Sequence, residues 1–186
     1  MLEIDPYKTW QLLDERLKTE KNPLHRAHIE TIIYHFKGEA RGDVDQIVST
    51  LSPKSCYHVY DHAGGGVPRV YNGIDGARQW YSELLGTISA DLEYRVESLI
   101  VDDYSIVTEG PTKVAIPGKV LESAGIKVSE PDGLYLGGGR TIVIWPFDQD
   151  GLILGEKIYS VGTASLEKVA TRKLHPDEIG RYLEAA

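Results

Sequence analysis

Residues 29–61 of the chain read IETIIYHFKGEARGDVDQIVSTLSPKSCYHVYD and predict a helix, a turn with a second short helix, and a strand. In the first helix the apolar residues recur at three- and four-residue spacing, which predicts one buried face. These residues are Ile29, Ile32, Ile33, Phe36 and Ala40. His35 lies beside Phe36 at the edge of that face. Because an imidazole titrates near neutral pH, His35 is a candidate acid–base group in whatever cavity the strands enclose.

The composition is that of a globular protein and disfavours several classes of partner. The 186 residues are 41% hydrophobic and 26% charged, which is enough apolar material for one domain with its own core. A formal charge of −8 without a sustained basic run argues against nucleic acid or a membrane surface as partner. No apolar run approaches the ~20 residues of a membrane helix. The single cysteine, Cys56, and the start MLEIDPYK lead us to expect a reduced, cytoplasmic protein.

A helix is predicted ahead of the core. Asp5 followed by Pro6 has the residue types of a helix cap and a first helical position. Apolar residues then repeat at helical spacing until Asn22-Pro23, where a proline stops the pattern. We predict an amphipathic N-terminal helix over residues 5–21.

A second extra helix is predicted at the end of the chain. Pro176 and the two acidic residues after it suit the first turn of a helix, so we predict a tail helix over about residues 176–185. The sequence contains no internal repeat and no clear boundary. We therefore predict a single domain over residues 1–186, with its core at about residues 24–161.

The histidines do not form a metal-binding pattern. His25 and His28 lie three residues apart on a predicted helix, without a third ligand nearby in the sequence. On the predicted strand, His58 and His62 would lie roughly 13 Å apart at 3.3 Å per residue, which is too far for one ion. We therefore predict no metal site and no cofactor.

The second half of the chain predicts a helix followed by four strands in two hairpins. IDGARQWYSELLG, residues 74–86, has the spacing of a helix with an aromatic-rich buried face. LEYRVESLIV (92–101) and YSIVTEGPTKV (104–114) flank Asp102-Asp103, which we interpret as a two-residue turn. RTIVIWPF and LILGEKIYS predict the last hairpin. The connection over residues 117–139, rich in glycine and proline, is a candidate lid or dimer contact.

Glu109 is a second candidate acid–base group. The two-residue turn places it opposite Val96, on the apolar side of the strand pair, while Glu93, Arg95 and Glu97 face solvent. Burial there would raise the pKa of Glu109 and make it a proton donor or acceptor. Pairing with a lysine or a backbone amide is the alternative.

The order of the elements predicts an α+β fold, with helices packed on one curved, mainly antiparallel sheet. Three segments carry a wider likeness: IYHFKGEARGDVDQIVSTLSPKSCYHVYD (33–61), NGIDGARQWYSEL (72–84) and FDQDGLILGEKIY (147–159). Together they resemble the superfamily of nuclear transport factor 2-like proteins, which includes ketosteroid isomerase and SnoaL-like polyketide cyclases. The resemblance covers roughly residues 25–160. It implies a conical half-barrel whose open end holds an apolar pocket.

The resemblance does not carry over an intact catalytic set. His35 falls where ketosteroid isomerase has the tyrosine that polarises a carbonyl group, and a histidine could still donate there. The isomerase's catalytic aspartate corresponds to Val59, although Asp61 lies on the same strand face two residues later. Its second aspartate falls near Val143. The resemblance therefore disfavours ketosteroid isomerase chemistry as such.

A cavity walled by aromatic residues remains the predicted site. We expect His35, Asp61 and Glu109 to be its catalytic residues, because they are the titratable groups that a closed cone could bring together. Aromatic side chains that could stack on a ring-bearing ligand are the expected substrate-binding residues. They are Tyr57, Trp80, Tyr94, Trp145 and Tyr159.

Two functions from different classes fit these residues. The first is a cofactor-independent lyase or isomerase, such as a dehydratase, cyclase or proton-transfer isomerase, acting on a small apolar molecule with rings. The second is a non-catalytic module that uses the same cone to bind a small molecule or to dimerise. A half-barrel leaves one sheet face uncovered, so we expect a homodimer.

Overall fold

The computed structural model describes residues 2–60, 67–88, 91–162 and 164–182. Within them lie six α-helices: α1 Gln11–Leu17, α2 Pro23–Glu39, α3 Val44–Ser49, α4 Gly73–Thr87, α5 Gly118–Ser123 and α6 Leu166–Val169. Two 3₁₀ turns cover Pro6–Thr9 and Pro176–Glu178. The strands are β1 Cys56–Tyr60, β2 Arg69–Asn72, β3 Leu92–Tyr94, β4 Ser98–Val101, β5 Ser105–Pro117, β6 Leu134–Pro146 and β7 Lys157–Val161.

All seven strands belong to one open, curved sheet. Its order is β2-β1-β7-β6-β5-β3, and β4 also pairs with β5. Strands β1 and β7 run parallel, whereas the other described pairs are antiparallel. The main hydrophobic cluster joins α2, α3 and α4 to inward residues of β1, β5 and β6. The predicted α+β class, with helices on a curved and mainly antiparallel sheet, is confirmed.

Helix α2 provides the buried face that its sequence predicts. The Asn22 side chain accepts a hydrogen bond from the Leu24 amide at 3.0 Å, and Pro23 occupies the first turn. The helix then buries an apolar stripe together with two histidines, so that the predicted edge position of His35 lies fully inside. The buried residues are His28, Ile29, Ile32, Ile33, His35, Phe36 and Gly38.

A β-bulge interrupts the strand predicted over residues 92–101. Tyr94 is opposite Thr112, whereas Ser98 is opposite Glu109, so one extra residue lies between the two pairs. Gly110 lies against the bulge, where an added Cβ would be 1.9 Å from a carbonyl oxygen of the bulged strand. Only glycine permits this approach. The bulge moves the inward-facing positions of the strand by one residue.

The turn between β4 and β5 also differs from the prediction. The Asp102 carboxylate accepts hydrogen bonds from the amides of Tyr104 and Ser105, both at 2.7 Å, so the turn runs over residues 102–105. Together, bulge and turn pair Glu109 with Ser98 on the outer face of the sheet. The prediction that Glu109 lies on the apolar side is therefore wrong.

The N-terminal helix predicted over residues 5–21 is broken. Its start is the 3₁₀ turn Pro6–Thr9, which is followed by the separate helix α1. This segment covers Glu93, which was predicted to face solvent but is buried. The Glu93 carboxylate accepts a hydrogen bond from the Asp5 amide at 2.8 Å and lies 3.7 Å from the Lys8 ammonium.

The tail helix predicted over residues 176–185 begins at Pro176 as expected, but the described part is only the 3₁₀ turn ending at Glu178. The Glu178 carbonyl accepts a hydrogen bond from the Glu3 amide at 2.7 Å, and Ile179 forms a parallel β-bridge with Ile4. Pairing with the N-terminal segment therefore replaces a continued helix. In the described ranges no helix has both the length and the apolar character to cross a membrane.

The connection predicted over residues 117–139 is shorter than its sequence suggests. Strands β5 and β6 pair continuously as far as Pro117 and Leu134. Helix α5 and a turn fill the remaining residues 118–133. The glycine-rich run before Arg140 is thus part of β6, where glycines leave room at the cavity wall.

Candidate functional site

A cavity of about 330 Å³ lies between helices α2 and α4 and the inner face of the sheet. This volume is in the range of small-molecule binding sites. Its walls are mainly apolar, with four aromatic side chains: Phe36, Trp80, Tyr94 and Trp145. The polar side chains of the lining are Glu39, Arg69, Thr112, Thr141, Glu156 and Ser160.

Two of the aromatic walls are fixed by one buried threonine. The Thr108 hydroxyl oxygen accepts a hydrogen bond from Trp145 Nε1 at 2.9 Å and another from the Tyr94 hydroxyl at 3.0 Å. Thr108 is fully buried. Because both polar tips are held on the same atom, the rings present rigid apolar faces to the cavity.

The inner end of the cavity contains a compact polar cluster centred on the Tyr81 hydroxyl. Its oxygen lies 2.8 Å from His35 Nε2, 2.8 Å from Glu156 Oε1 and 3.0 Å from Glu39 Oε1. The two glutamates line the cavity, whereas His35 and Tyr81 lie behind them. The cluster therefore connects a buried imidazole with two carboxyl groups that a ligand could touch.

Three elements bring these side chains together. His35 and Glu39 are four residues apart on α2 and so share one helix face. Tyr81 comes from the buried face of α4. Glu156 lies just before β7 and directly after Gly155. Gly155 has a φ of +99°, and a Cβ added to it would lie 2.2 Å from the Cys56 carbonyl oxygen. Glycine at this position lets the chain approach β1 closely.

A threonine fixes the orientation of the imidazole. The Thr50 hydroxyl donates to the Ile47 carbonyl at 2.7 Å, so its oxygen accepts from His35 Nδ1 at 2.8 Å. The Nδ1 atom therefore carries a hydrogen, and Nε2 points at Tyr81. His35 is held at both ring nitrogens.

Burial dominates the electrostatics of the cluster. It raises the pKa of the Glu39 carboxyl to about 7; His35 opposes this rise and the charge of Glu156 adds to it. Burial and the two carboxylates also raise the pKa of Tyr81 well above its ordinary value. Near neutral pH, Glu39 is thus a carboxyl group that can both give and take a proton.

The same cluster contains the donor atoms of a candidate metal site. One ligand atom each of His35, Glu39 and Glu156 lie within 4.8 Å of one another. The Tyr81 hydroxyl, however, is within hydrogen-bonding distance of all three, so an ion would have to displace protons that already satisfy them.

We predict that a chelator leaves the thermal midpoint of the protein unchanged. A stoichiometric divalent ion found by elemental analysis would contradict this prediction.

The three predicted catalytic residues have different outcomes. His35 is fully buried at the inner end of the cavity, where its Nε2 atom lies 2.8 Å from the Tyr81 hydroxyl and 3.5 and 3.7 Å from the carboxyl oxygens of Glu156 and Glu39. Asp61 lies outside the described residues. Glu109 is on the other face of the sheet, where it pairs with Arg140 and accepts a hydrogen bond from the Ser98 hydroxyl at 3.0 Å. The hydrogen bond from Arg140 is the main cause that lowers the pKa of Glu109. Glu109 and His35 therefore do not lie in one site.

Of the five predicted aromatic residues, Trp80, Tyr94 and Trp145 line the cavity. Tyr57 is fully buried beside Tyr81 and lies behind the lining. Tyr159 is on the outer sheet face, where it stacks on the ring of Tyr60 with 4.5 Å between ring centroids.

Sequence reasoning missed Glu39, Tyr81 and Glu156. The spacing of His35 and Glu39, four residues apart on a predicted helix, was a usable signal. Tyr81 was recognised only as part of an apolar face. Glu156 gave no signal, because its burial depends on the parallel pairing of β1 with β7 rather than on the local sequence.

No protein-family profile matches the sequence, and no curated protein does. Solved structures with the same fold do match. An NTF2-like protein of unknown function from Burkholderia pseudomallei is 14% identical, with a TM-score of 0.57 over 78% of this chain and 98% of that one. A protein from Jannaschia described as a putative SnoaL-like polyketide cyclase is 16% identical, with a TM-score of 0.57 over 77% of this chain and 91% of that one. An LEH-like epoxide hydrolase from M. tuberculosis is 13% identical, with a TM-score of 0.54 over 74% and 85%.

Proposed function

We propose that this chain, which has the nuclear transport factor 2-like fold, is a cofactor-independent lyase or isomerase. It would move a proton on a small, apolar, ring-containing molecule bound in the cavity. The observation that carries the proposal is the pair Glu39 and Glu156: both line a mainly apolar cavity and both lie within hydrogen-bonding distance of the same tyrosine hydroxyl.

The chemistry follows from the protonation of this pair. With the pKa of Glu39 at about 7, the pair can hold a neutral carboxyl beside an ionised one near neutral pH. The ionised carboxyl takes a proton from a carbon next to a carbonyl group, and the neutral one returns a proton at another atom. Such general acid–base catalysis contributes about 10²- to 10⁴-fold in rate.

The lining favours an uncharged, ring-bearing substrate. Phe36, Trp80, Tyr94 and Trp145 offer aromatic faces for stacking, and the cavity of about 330 Å³ has the size of a small-molecule site. The fold neighbour described as a polyketide cyclase is consistent with a ring-containing substrate.

A binding module is the second candidate, because the members of the cluster already make hydrogen bonds with one another. His35, Tyr81, Thr50 and the two glutamates satisfy one another without a ligand. Such a network could serve only to hold α2 and α4 against the sheet, and the cavity would then bind a molecule without changing it.

Deuterium exchange of a model ketone distinguishes the two functions. Exchange of the protons next to the carbonyl of 1-tetralone, a two-ring ketone, is followed by proton NMR in heavy water with catalytic amounts of protein. We expect accelerated exchange, with a loss of about 10²-fold or more in Glu39→Gln and in Glu156→Gln. Glu109→Gln is the control, because Glu109 is a glutamate on the opposite sheet face and should leave the rate unchanged.

Binding without exchange would support the module instead. Saturable binding of 1-tetralone, measured by calorimetry, together with a rate of exchange equal to that of buffer would contradict the enzymatic proposal. Equal rates in wild type and in both cavity variants would do the same.

A further inference from the structure

The Tyr81 hydroxyl has one hydrogen but three close partners. His35 Nε2, Glu156 Oε1 and Glu39 Oε1 all lie 2.8–3.0 Å from its oxygen. A phenol donates one hydrogen bond and can accept two. Hence one of the three partners receives the Tyr81 hydrogen, and each of the other two must itself carry a proton and donate it.

This count fixes the charge of the cluster. His35 Nδ1 already carries a hydrogen, because Thr50 uses its own hydrogen on the Ile47 carbonyl. If Nε2 and one carboxyl hold the two protons, the charges are +1 and −1. If both carboxyls hold them, all groups are neutral. The satisfied cluster is therefore uncharged in every arrangement, which suits its burial.

The arrangements interconvert without water. They differ only in which partner receives the Tyr81 hydrogen, and every move passes through the same oxygen atom. Among the described residues, the other titratable side chains around the cluster are Tyr57 on β1 and Tyr94 on β3. Burial raises the pKa of both phenols, so neither ionises in the neutral range.

We propose that Tyr81 is a three-way proton exchanger that returns Glu39 and Glu156 to their starting protonation states after each transfer. The exchange rests on geometry, and its use for resetting rests on the proposed function. In the reset, the O–H bond of one glutamic acid breaks as its proton bonds to the Tyr81 oxygen. At the same time the Tyr81 O–H bond breaks and that proton bonds to the other glutamate. One proton enters and one leaves, so tyrosine remains neutral.

In this scheme His35 is a positioning residue. It does not line the cavity, and it acts by occupying the third position at the Tyr81 oxygen. It can also store one of the two protons, because its Nε2 atom lies 3.5 Å from Glu156 Oε1 and 3.7 Å from Glu39 Oε1.

The test follows all members of the cluster in the protein without substrate. Carbon-13 NMR reports the glutamate carboxyls and the tyrosine ring carbons, and nitrogen-15 NMR reports the histidine rings, over the pH range in which Glu39 titrates. We expect the Glu39, Tyr81 and His35 signals to change together as Glu39 loses its proton, because that loss alters the hydrogen bonds at the shared Tyr81 oxygen and every member then reports the same macroscopic step. In Tyr81→Phe the response of the His35 signals in the Glu39 step should become smaller, because only the direct approach of 3.7 Å between His35 Nε2 and Glu39 Oε1 remains.

Tyr57→Phe is the matched control. Tyr57 is an equally buried tyrosine beside Tyr81, and the charge of Glu156 helps to raise its pKa, but its hydroxyl has no partner within hydrogen-bonding geometry among the described residues. The common step should persist in this variant. An equally smaller His35 response in Tyr57→Phe and in Tyr81→Phe would overturn the proposal, since it would indicate a general effect of losing a buried hydroxyl.

A second variant keeps the proposal testable if Tyr81→Phe does not fold. In Glu39→Gln, the amide permanently donates to Tyr81, so the common step near pH 7 should disappear while the His35 and Tyr81 signals stay constant there. Separate steps for the three groups in wild type, or an unchanged step in Glu39→Gln, would overturn the exchanger. These readouts need no turnover, so they stand apart from the ketone-exchange experiment.

Discussion

Tyr81 and Tyr57 are two buried tyrosines, 6.0 Å apart between ring centroids, that differ in the partners of their hydroxyl groups. The Tyr81 hydroxyl has three polar neighbours, whereas the Tyr57 hydroxyl makes no hydrogen bond with any residue in the described ranges. An unsatisfied buried hydroxyl is costly, and a satisfied one is costly to remove. The two positions should therefore respond to the same substitution with opposite signs.

We predict that Tyr81→Phe lowers the free energy of unfolding by about 1–3 kcal/mol, because it leaves three buried polar atoms without their common partner. Tyr57→Phe should raise it by roughly 1 kcal/mol, because it removes an unsatisfied group. Urea denaturation of both variants beside wild type measures the difference. A loss of stability in Tyr57→Phe equal to that in Tyr81→Phe would show that the hydroxyl of Tyr57 has a partner after all.

Glu39 gives the protein a characteristic dependence of stability on pH. Its pKa is raised to about 7 in the fold, from an ordinary value of 4.5. The folded state therefore binds more protons than the unfolded state between these values, and the contribution of Glu39 to stability falls as pH rises from about 4.5 to about 7. We predict that wild type loses stability relative to Glu39→Gln over this interval. The thermal midpoints of the two proteins are measured at each pH. A difference between them that stays constant over this interval would contradict the prediction.

The composition of the site shows what a sequence reveals about single residues. His35 was found from its position in a helical stripe, and its neighbour Glu39 was accessible from the same spacing. Glu109 was misplaced, because one extra residue in a strand reverses which face a side chain occupies. Glu156 is buried through contacts with distant segments, so no local pattern predicts its role.

At the scale of elements, helices were predicted better than strands. Helices α2 and α4 carry long periodic patterns, and the range predicted for α4, residues 74–86, agrees closely with Gly73–Thr87. The helix predicted from Ile29 is present, but α2 begins earlier, at Pro23. The strand over residues 92–101 was predicted as continuous, because a bulge adds a residue without changing composition. The broken helix at residues 5–21 likewise reflects packing over Glu93 rather than local propensity.

The bulge should be sensitive to a single added methyl group. We predict that Gly110→Ala lowers the free energy of unfolding by about 1–3 kcal/mol, because its Cβ would lie 1.9 Å from the carbonyl oxygen of Arg95. Gly86→Ala is the control: Gly86 is an exposed residue of α4, no atom lies within 4 Å of its added Cβ, and the change should stabilise by roughly 0.5–1 kcal/mol. Chemical denaturation compares them. Equal effects of the two substitutions would argue against the bulge.

At the scale of the whole molecule, the outer face of the sheet is not covered by the described helices. Val161 and Ile142 are exposed there by 54% and 41%, beside the stacked pair Tyr60 and Tyr159. Apolar side chains exposed on a sheet face are typical of an interface, and here they alternate with the ion pair of Glu109 and Arg140, which lie opposite Ile142 and Val161. We propose that a second copy of the chain packs on this face.

We predict a homodimer in light scattering, twice the 20.7 kDa mass of the chain. Tyr159→Lys should shift the mass towards the monomer, because it places a charge in the centre of the proposed interface. Tyr104→Lys is the control, since Tyr104 is 79% exposed at the tip of the β4–β5 turn. A monomeric wild type at micromolar concentration would contradict the proposal.

The parallel pairing of β1 with β7 joins segments about 100 residues apart, at residues 58–60 and 157–159. Contacts of such long sequence separation form late, because the chain must lose much conformational freedom before they stabilise it. On the ribosome, β1 emerges well before its partner, and helices α2, α3 and α4 must wait beside an incomplete sheet. Glu156 arrives with β7, so the polar cluster closes in the last stage of folding. The step that completes the sheet is thus also the step that brings Glu156 to Glu39 and assembles the proposed acid–base pair.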